Sequence, residues 1–176
     1  DLACAVRFAR ATAAEYGGDP DEVTLVGFSL GASAGAVVAL SGDDHTTGCV
    51  QAGTSALPDT FVGYEGAYDW THADYPLGLD LLEQDDPELW AAIDPYAHVG
   101  EHPELVVRLI NGVDDNTVWY ETAPQVPEEF RQALVDAGHD DVEVILIDGA
   151  RHSAGYPGAP QFDAMVEQAL DTADSR

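Results

Sequence analysis

Residues 23 to 40, VTLVGFSLGASAGAVVAL, leave the chain few folds to choose from. Val23, Leu25 and Val26 read as a short buried strand. A sharp turn follows, Gly27-Phe28-Ser29-Leu30-Gly31, and then a helix of small residues that ends near Leu40. The G-x-S-x-G pattern puts one serine at the corner between strand and helix. Gly27 and Gly31 are expected where a Cβ would strike the neighbouring strand or helix. Five such residues recur by accident in many loops, so the strand before and the helix after carry the signal. A plain alternative stands beside it: Ser29 caps the helix that starts at Leu30 or Gly31.

The rest of the chain alternates the same two kinds of element. Leu2, Val6, Ala9 and Ala13 form a helical stripe, which Gly17-Gly18 ends before Asp19-Pro20-Asp21 turns into the strand. Further strands are expected at Phe61 to Tyr64, Leu105 to Asn111 and Val142 to Ile147. LVVRLIN is an almost continuous apolar run, as in a parallel sheet buried on both faces. Pro127 to Ala137 reads as a helix with Pro in its first turn and Gly138 just past its end, burying Phe130, Ala133, Leu134 and Ala137. Phe162 to Ala173 reads as a closing helix with Phe162, Met165, Val166, Ala169, Leu170 and Ala173 on one face. Strands alternating with helices predict an α/β domain, a parallel sheet with helices on both faces. One domain is expected over residues 1–176, with 70–101 as an irregular, aromatic-rich excursion that serves as a cap or pocket wall, or as a helical segment packed on the body. Short helices are expected within it at Leu77 to Glu83 and Pro87 to Ile93.

Charge excludes some partners. The 176 residues hold 33 Asp plus Glu against 6 Arg and no Lys, a net charge of −27. Such a surface repels nucleic acid and anionic membranes, so neither is an expected partner. High salt would screen the self-repulsion, which makes a halophilic setting one reading and a solvated acidic surface the other. No apolar run is long enough to span a membrane. Cys4 and Cys49 lack metal-ligand spacing; two buried thiols are expected, with a disulfide as the alternative. The six histidines include no H-E-x-x-H, and neither a metal nor another cofactor is expected.

A serine needs a base to take its proton, and the base needs an orienting acid. In a parallel sheet such groups meet in the loops at the carboxyl ends of the strands. The loop after Asn111 offers Asp114 and Asp115; the loop after Ile147 offers His152. His45, His72, His98, His102 and His139 are expected to be surface or structural, and His139 lies at the wrong end of its strand. Asp148 is nearer to His152 in sequence but sits at the strand end, where it supports the loop.

The stretches YGGDPDEVTLVGFSLGAS, VVRLINGVDDNTV and VILIDGARHS together resemble the α/β-hydrolase superfamily, and within it the carboxylesterase and small-esterase branch. The family's G-x-x-D-x-x-V fits Gly112, Asp115 and Val118, which selects Asp115 over Asp114; its G-x-x-H fits Gly149 and His152. The resemblance implies a nucleophile elbow at Ser29 and a Ser29–Asp115–His152 triad that cleaves a small-molecule carboxylic ester through an acyl-enzyme. The Leu30 N–H is the implied oxyanion donor. A peptidase, an acyltransferase or an inactive binding protein of the same fold would carry the same motifs. Two features depart from the family. Phe28 stands where the family often has His. The family's first strands and the loop with its second oxyanion donor precede the elbow, so the chain is expected to be an N-terminally truncated fragment with those strands missing. Compartment and oligomeric state are not legible in these residues.

Overall fold

The computed structural model describes residues 1–69, 85–115, 124–152, 157–159 and 161–174. The element order is α1 (Leu2–Thr12), β1 (Thr24–Phe28), α2 (Leu30–Ser41), β2 (Thr60–Tyr64), α3 (Pro87–Ile93), β3 (Val106–Gly112), α4 (Gln125–Asp136), β4 (Val142–Ile147) and α5 (Phe162–Asp174). The four strands form one parallel sheet in the order β1-β2-β3-β4, flanked by helices. Each expected strand is present to within a residue or two, because short β-branched runs bounded by turns admit little else. Among the described residues β1 is an edge strand, with Val26 largely exposed.

Alternation along each strand sorts side chains between two cores. Phe61 of β2 with Val107 and Leu109 of β3 pack against Ala32, Ala36, Ala39 and Leu40 of α2 and Val126, Phe130 and Leu134 of α4. Val62, Tyr64 and Ile110 point the other way, where Phe28, Ile145, Ile147 and Ala150 join them. The small residues of α2 allow a close approach to the sheet: a Cβ on Gly35 would stand 2.9 Å from the Phe61 ring. α1 packs on α2 through Ala3 and Val6 against Val38. Its Arg7 is buried and bonds the carbonyls of Gly42 and Thr54, with Asp43 as its ion-pair partner at 3.4 Å.

Two expectations are corrected, on the cysteines and on the buried face of α4, and one apolar stripe is partly exposed. The cysteines are joined: Cys4 on α1 and Cys49, in the loop after α2, form a disulfide with Cα atoms 5.1 Å apart. α1 lies along α2, so the loop that leaves α2 turns back beside the start of α1. The stripe of α5 is not a buried one throughout, since Val166 and Leu170 are exposed. α4 buries Val126 and Pro127 with Phe130 and Leu134, whereas Ala133 is half-buried and Ala137, beyond the last helical turn, is exposed.

The excursion is described from residue 85 on; the helix expected at 77–83 lies outside the described residues. α3 occupies Pro87–Ile93 as its pattern requires, with Asp86 accepting from the Leu89 N–H at 3.0 Å and Pro in the first turn. Trp90 is buried, and Tyr96 meets the edge of the Phe130 ring with centroids 5.3 Å apart. His102 Nδ1 lies 2.8 Å from the Ala39 carbonyl oxygen and ties the end of the segment to α2.

Candidate active site

Parallel strands end in a staircase, and the staircase brings the candidate residues together. The residue after each strand donates its N–H to the end of the next strand. Ser29 N–H bonds Tyr64 O at 2.8 Å, Glu65 N–H bonds Ile110 O at 2.9 Å, and Val113 N–H bonds Ile147 O at 3.0 Å. Ser29, Glu65 and the loop carrying Asp115 therefore stand side by side at the carboxyl ends of β1, β2 and β3. Asp114 N–H also bonds Ala150 O at 3.0 Å, which ties the Asp115 loop to the His152 loop. Gly112 is required there, because the Ala150 carbonyl occupies the space that a Cβ would take.

Ser29 adopts φ 54° and ψ −126°, a conformation that L side chains rarely take. The turn is held so tightly that a Cβ on Gly27 would stand 2.7 Å from Ala32 Cα. Gly31 is different: it is exposed, and an added Cβ would meet no described atom within 4 Å. The expectation that Gly31 is sterically required is thus corrected among the described residues. Ser29 occupies the cap position of α2 but makes no side-chain cap hydrogen bond. Its Oγ instead lies 2.9 Å from His152 Nε2.

The other ring nitrogen, Nδ1, lies 3.1 Å from Asp115 Oδ2. An ionised Asp115 can only accept, so Nδ1 carries the proton and Nε2 is left to accept from the Ser29 hydroxyl. The Asp115 side chain is only 6% exposed and the His152 side chain 23%. One side of the imidazole meets the Phe28 ring, centroids 5.2 Å apart. Asp114 and Asp148 are exposed, as a solvent-facing neighbour and a loop residue should be. Leu30 opens α2, so its N–H is a first-turn amide outside the helical ladder. Val118 lies outside the described residues. His98 pairs with Glu101, His102 with Ala39, and the buried His139 with the Val99 carbonyl at 3.0 Å; burial pushes the His139 pKa down. His72 lies outside the described residues.

One site residue gave no signal in the sequence. Glu65 follows β2 with φ 50° and is 3% exposed. Its Oε1 accepts from the Gly112 N–H at 2.9 Å, and its Oε2 lies 3.8 Å from His152 Nδ1. Burial, with the hydrogen bond and negative charge of Asp115 adding to it, pushes the Glu65 carboxyl up to about 9; the Gly112 N–H pulls weakly the other way. Glu65, Asp115 and His152 have potential ligand atoms within 4.8 Å of one another, a geometry that a metal ion could bridge. His152 and Asp115 are already bonded to each other, so the cluster is organised as a proton network.

No family model matches the chain. The chain is 32% identical over 190 residues to Esterase LipQ of Mycobacterium tuberculosis; the match covers 97% of this chain and 42% of that protein. The chain thus spans about two fifths of the length of this relative. An esterase from the planctomycete Thermogutta terrifontis, solved with butyrate bound, superposes with a TM-score of 0.72 at 22% identity, covering 99% of this chain and 62% of that one. A truncated carbohydrate esterase from gut microbiota superposes with a TM-score of 0.69 at 20% identity, covering 98% and 67%. The Thermogutta esterase has also been solved phosphoramylated by tabun, with a TM-score of 0.70 to this chain.

Proposed function

We propose that this chain, an α/β-hydrolase of the esterase branch by fold and by sequence, carries the nucleophile, acid and base of a serine esterase. The observation that carries the reading is the run of contacts from Ser29 Oγ through the His152 ring to Asp115, 2.9 Å and 3.1 Å long. A serine used only as a helix cap would bond the backbone of α2 through its side chain, and the Ser29 hydroxyl makes no such bond.

In this reading the Ser29 oxygen attacks the ester carbonyl while its proton passes to His152 Nε2. Asp115 holds the ring and offsets the charge of the imidazolium. The Leu30 N–H points its dipole at the oxyanion and stabilises it more than the ground-state carbonyl. The tetrahedral adduct collapses as Nε2–H protonates the leaving alkoxide, which departs as an alcohol. Water then repeats the sequence on the acyl-enzyme, releasing a carboxylic acid and restoring Ser29. Phe28 shields the imidazole on one side, and the strained φ of Ser29 holds Oγ within reach of it. Segment 70–101 is the proposed wall or cap of the substrate pocket.

A fluorophosphonate probe tests this on the protein that contains the chain. Because a structural neighbour reacts with organophosphates, the same reagent class is the natural probe. The expected result is one covalent adduct at Ser29, lost in Ser29→Ala and slowed in His152→Ala. Equal labelling of wild type and Ser29→Ala would refute the proposal.

A further inference from the structure

Glu65 is hard to explain as packing. A non-glycine residue at φ 50° is strained, and enclosing a carboxyl is unfavourable. Its side chain has no solvent exposure. Oε1 is satisfied by the Gly112 N–H, but Oε2 accepts from no donor among the described residues. It lies 3.8 Å from His152 Nδ1, and one oxygen of Glu65, one of Asp115 and a ring nitrogen of His152 all fall within 4.8 Å of one another. Two ionised carboxylates enclosed this closely would repel each other, and the imidazole can satisfy only one through Nδ1. A single proton on Oε2 removes the repulsion and gives the orphaned oxygen a use.

We infer that Glu65 is a positioning residue: held as the neutral acid, it donates from Oε2 to Asp115 and keeps that carboxylate turned toward His152 Nδ1. This rests on the esterase reading above. The recorded partners of Glu65 are Gly112, His152 and Asp115 and not the nucleophile, so it acts through Asp115. Among the described residues, the titratable groups facing it across the site are Asp115, from the loop after β3, and His152, from the loop after β4. β1 and α2 contain no ionisable side chain, and Tyr64, Tyr68 and Asp69 belong to its own segment. Ionisation of Glu65 therefore sets a second negative charge against Asp115, and among the described residues the one cation recorded beside Glu65 is a protonated His152. Asp115 then turns away, and activity falls.

The test compares wild type, Glu65→Gln and Glu65→Ala in the protein that contains this chain. Gln can accept from Gly112 through its oxygen and donate to Asp115 through its amide at every pH, so it mimics the neutral acid. Wild-type kcat is expected to fall on the alkaline side with a midpoint near the shifted value of about 9. Glu65→Ala should lose roughly tenfold to hundredfold in kcat with KM little changed. Glu65→Gln should recover most of that loss and lack the alkaline fall. An alkaline fall that persists in Glu65→Gln, or a Gln variant as impaired as Ala, would overturn the inference. An infrared difference spectrum, wild type minus Glu65→Gln, reads the proton without activity. A protonated-carboxyl band at pH 7 that vanishes as the pH passes about 9 supports it, and its absence at pH 7 overturns it. If the fluorophosphonate does not label wild type, the esterase reading fails while the infrared result still decides the state of Glu65.

Discussion

Phe28 and His152 lie ring against ring, centroids 5.2 Å apart and planes inclined by 38°. The residue before Ser29 thus packs on the ring that Ser29 bonds. The contact adds a restraint to an imidazole already bonded to Asp115 and Ser29, and an aromatic partner supplies it without competing for either ring nitrogen.

Removing that restraint should cost rate more than binding. Phe28→Ala is expected to lower kcat by roughly tenfold with little change in KM, because the base samples orientations that do not reach Ser29. Steady-state kinetics on a short-chain aryl ester read this directly. An unchanged kcat would mean that Asp115 orients the ring unaided.

The two glycines that flank Ser29 should behave unlike each other. Gly27→Ala drives a Cβ to within 2.7 Å of Ala32 Cα, so backbone must move. A loss of about 1–3 kcal/mol or more is expected in chemical denaturation. Gly31→Ala meets open space in an exposed helix position and should be neutral, or stabilising by up to about 1 kcal/mol.

The disulfide closes a loop with a sequence separation of 45. Removing a cross-link over that span releases chain entropy to the unfolded state, so Cys4→Ser should lower stability by about 2–4 kcal/mol. Thermal melts with and without a thiol reductant should differ for wild type and coincide for the variant.

Glu65 also makes a signed prediction about stability. Its carboxyl is raised from 4.5 to about 9 in the folded protein. Between those values the native state keeps a proton that the unfolded chain has released, so this group's contribution to stability falls as pH rises through the window. It is fully present below 4.5 and gone above about 9. Glu65→Gln has no such proton to lose. Its stability relative to wild type should therefore climb from pH 5 to pH 9, which urea melts at several pH values would reveal as a widening gap. Parallel curves would show that Glu65 is ionised in the native state.

Much of this molecule was legible in its residues. Ser29 and His152 could be singled out because each follows a short apolar strand, and parallel strands deliver their carboxyl-end loops to one edge; the choice of Asp115 over its neighbour Asp114 came only from the resemblance to the family's spacing. The α3 helix could be bounded because Asp86 and Pro87 are local start signals. Motifs of this kind encode short-range geometry, which does not depend on distant segments.

What the tertiary structure alone decided depends on distant segments meeting. Glu65 is one of 33 acidic residues, and nothing local marks it for burial. The register that sets Tyr64 opposite Ile110 slides the next residue under the Gly112 N–H and beside Asp115. The Cys4–Cys49 pairing follows from how α1 lies on α2, the openness around Gly31 from what stands beside α2, and the exposure of Val166 and Leu170 from what α5 fails to meet among the described residues. A chain's local pattern says which backbone it can form. The desolvation of a carboxyl, the closing of a disulfide and the covering of a stripe are set by neighbours that only the packed fold supplies.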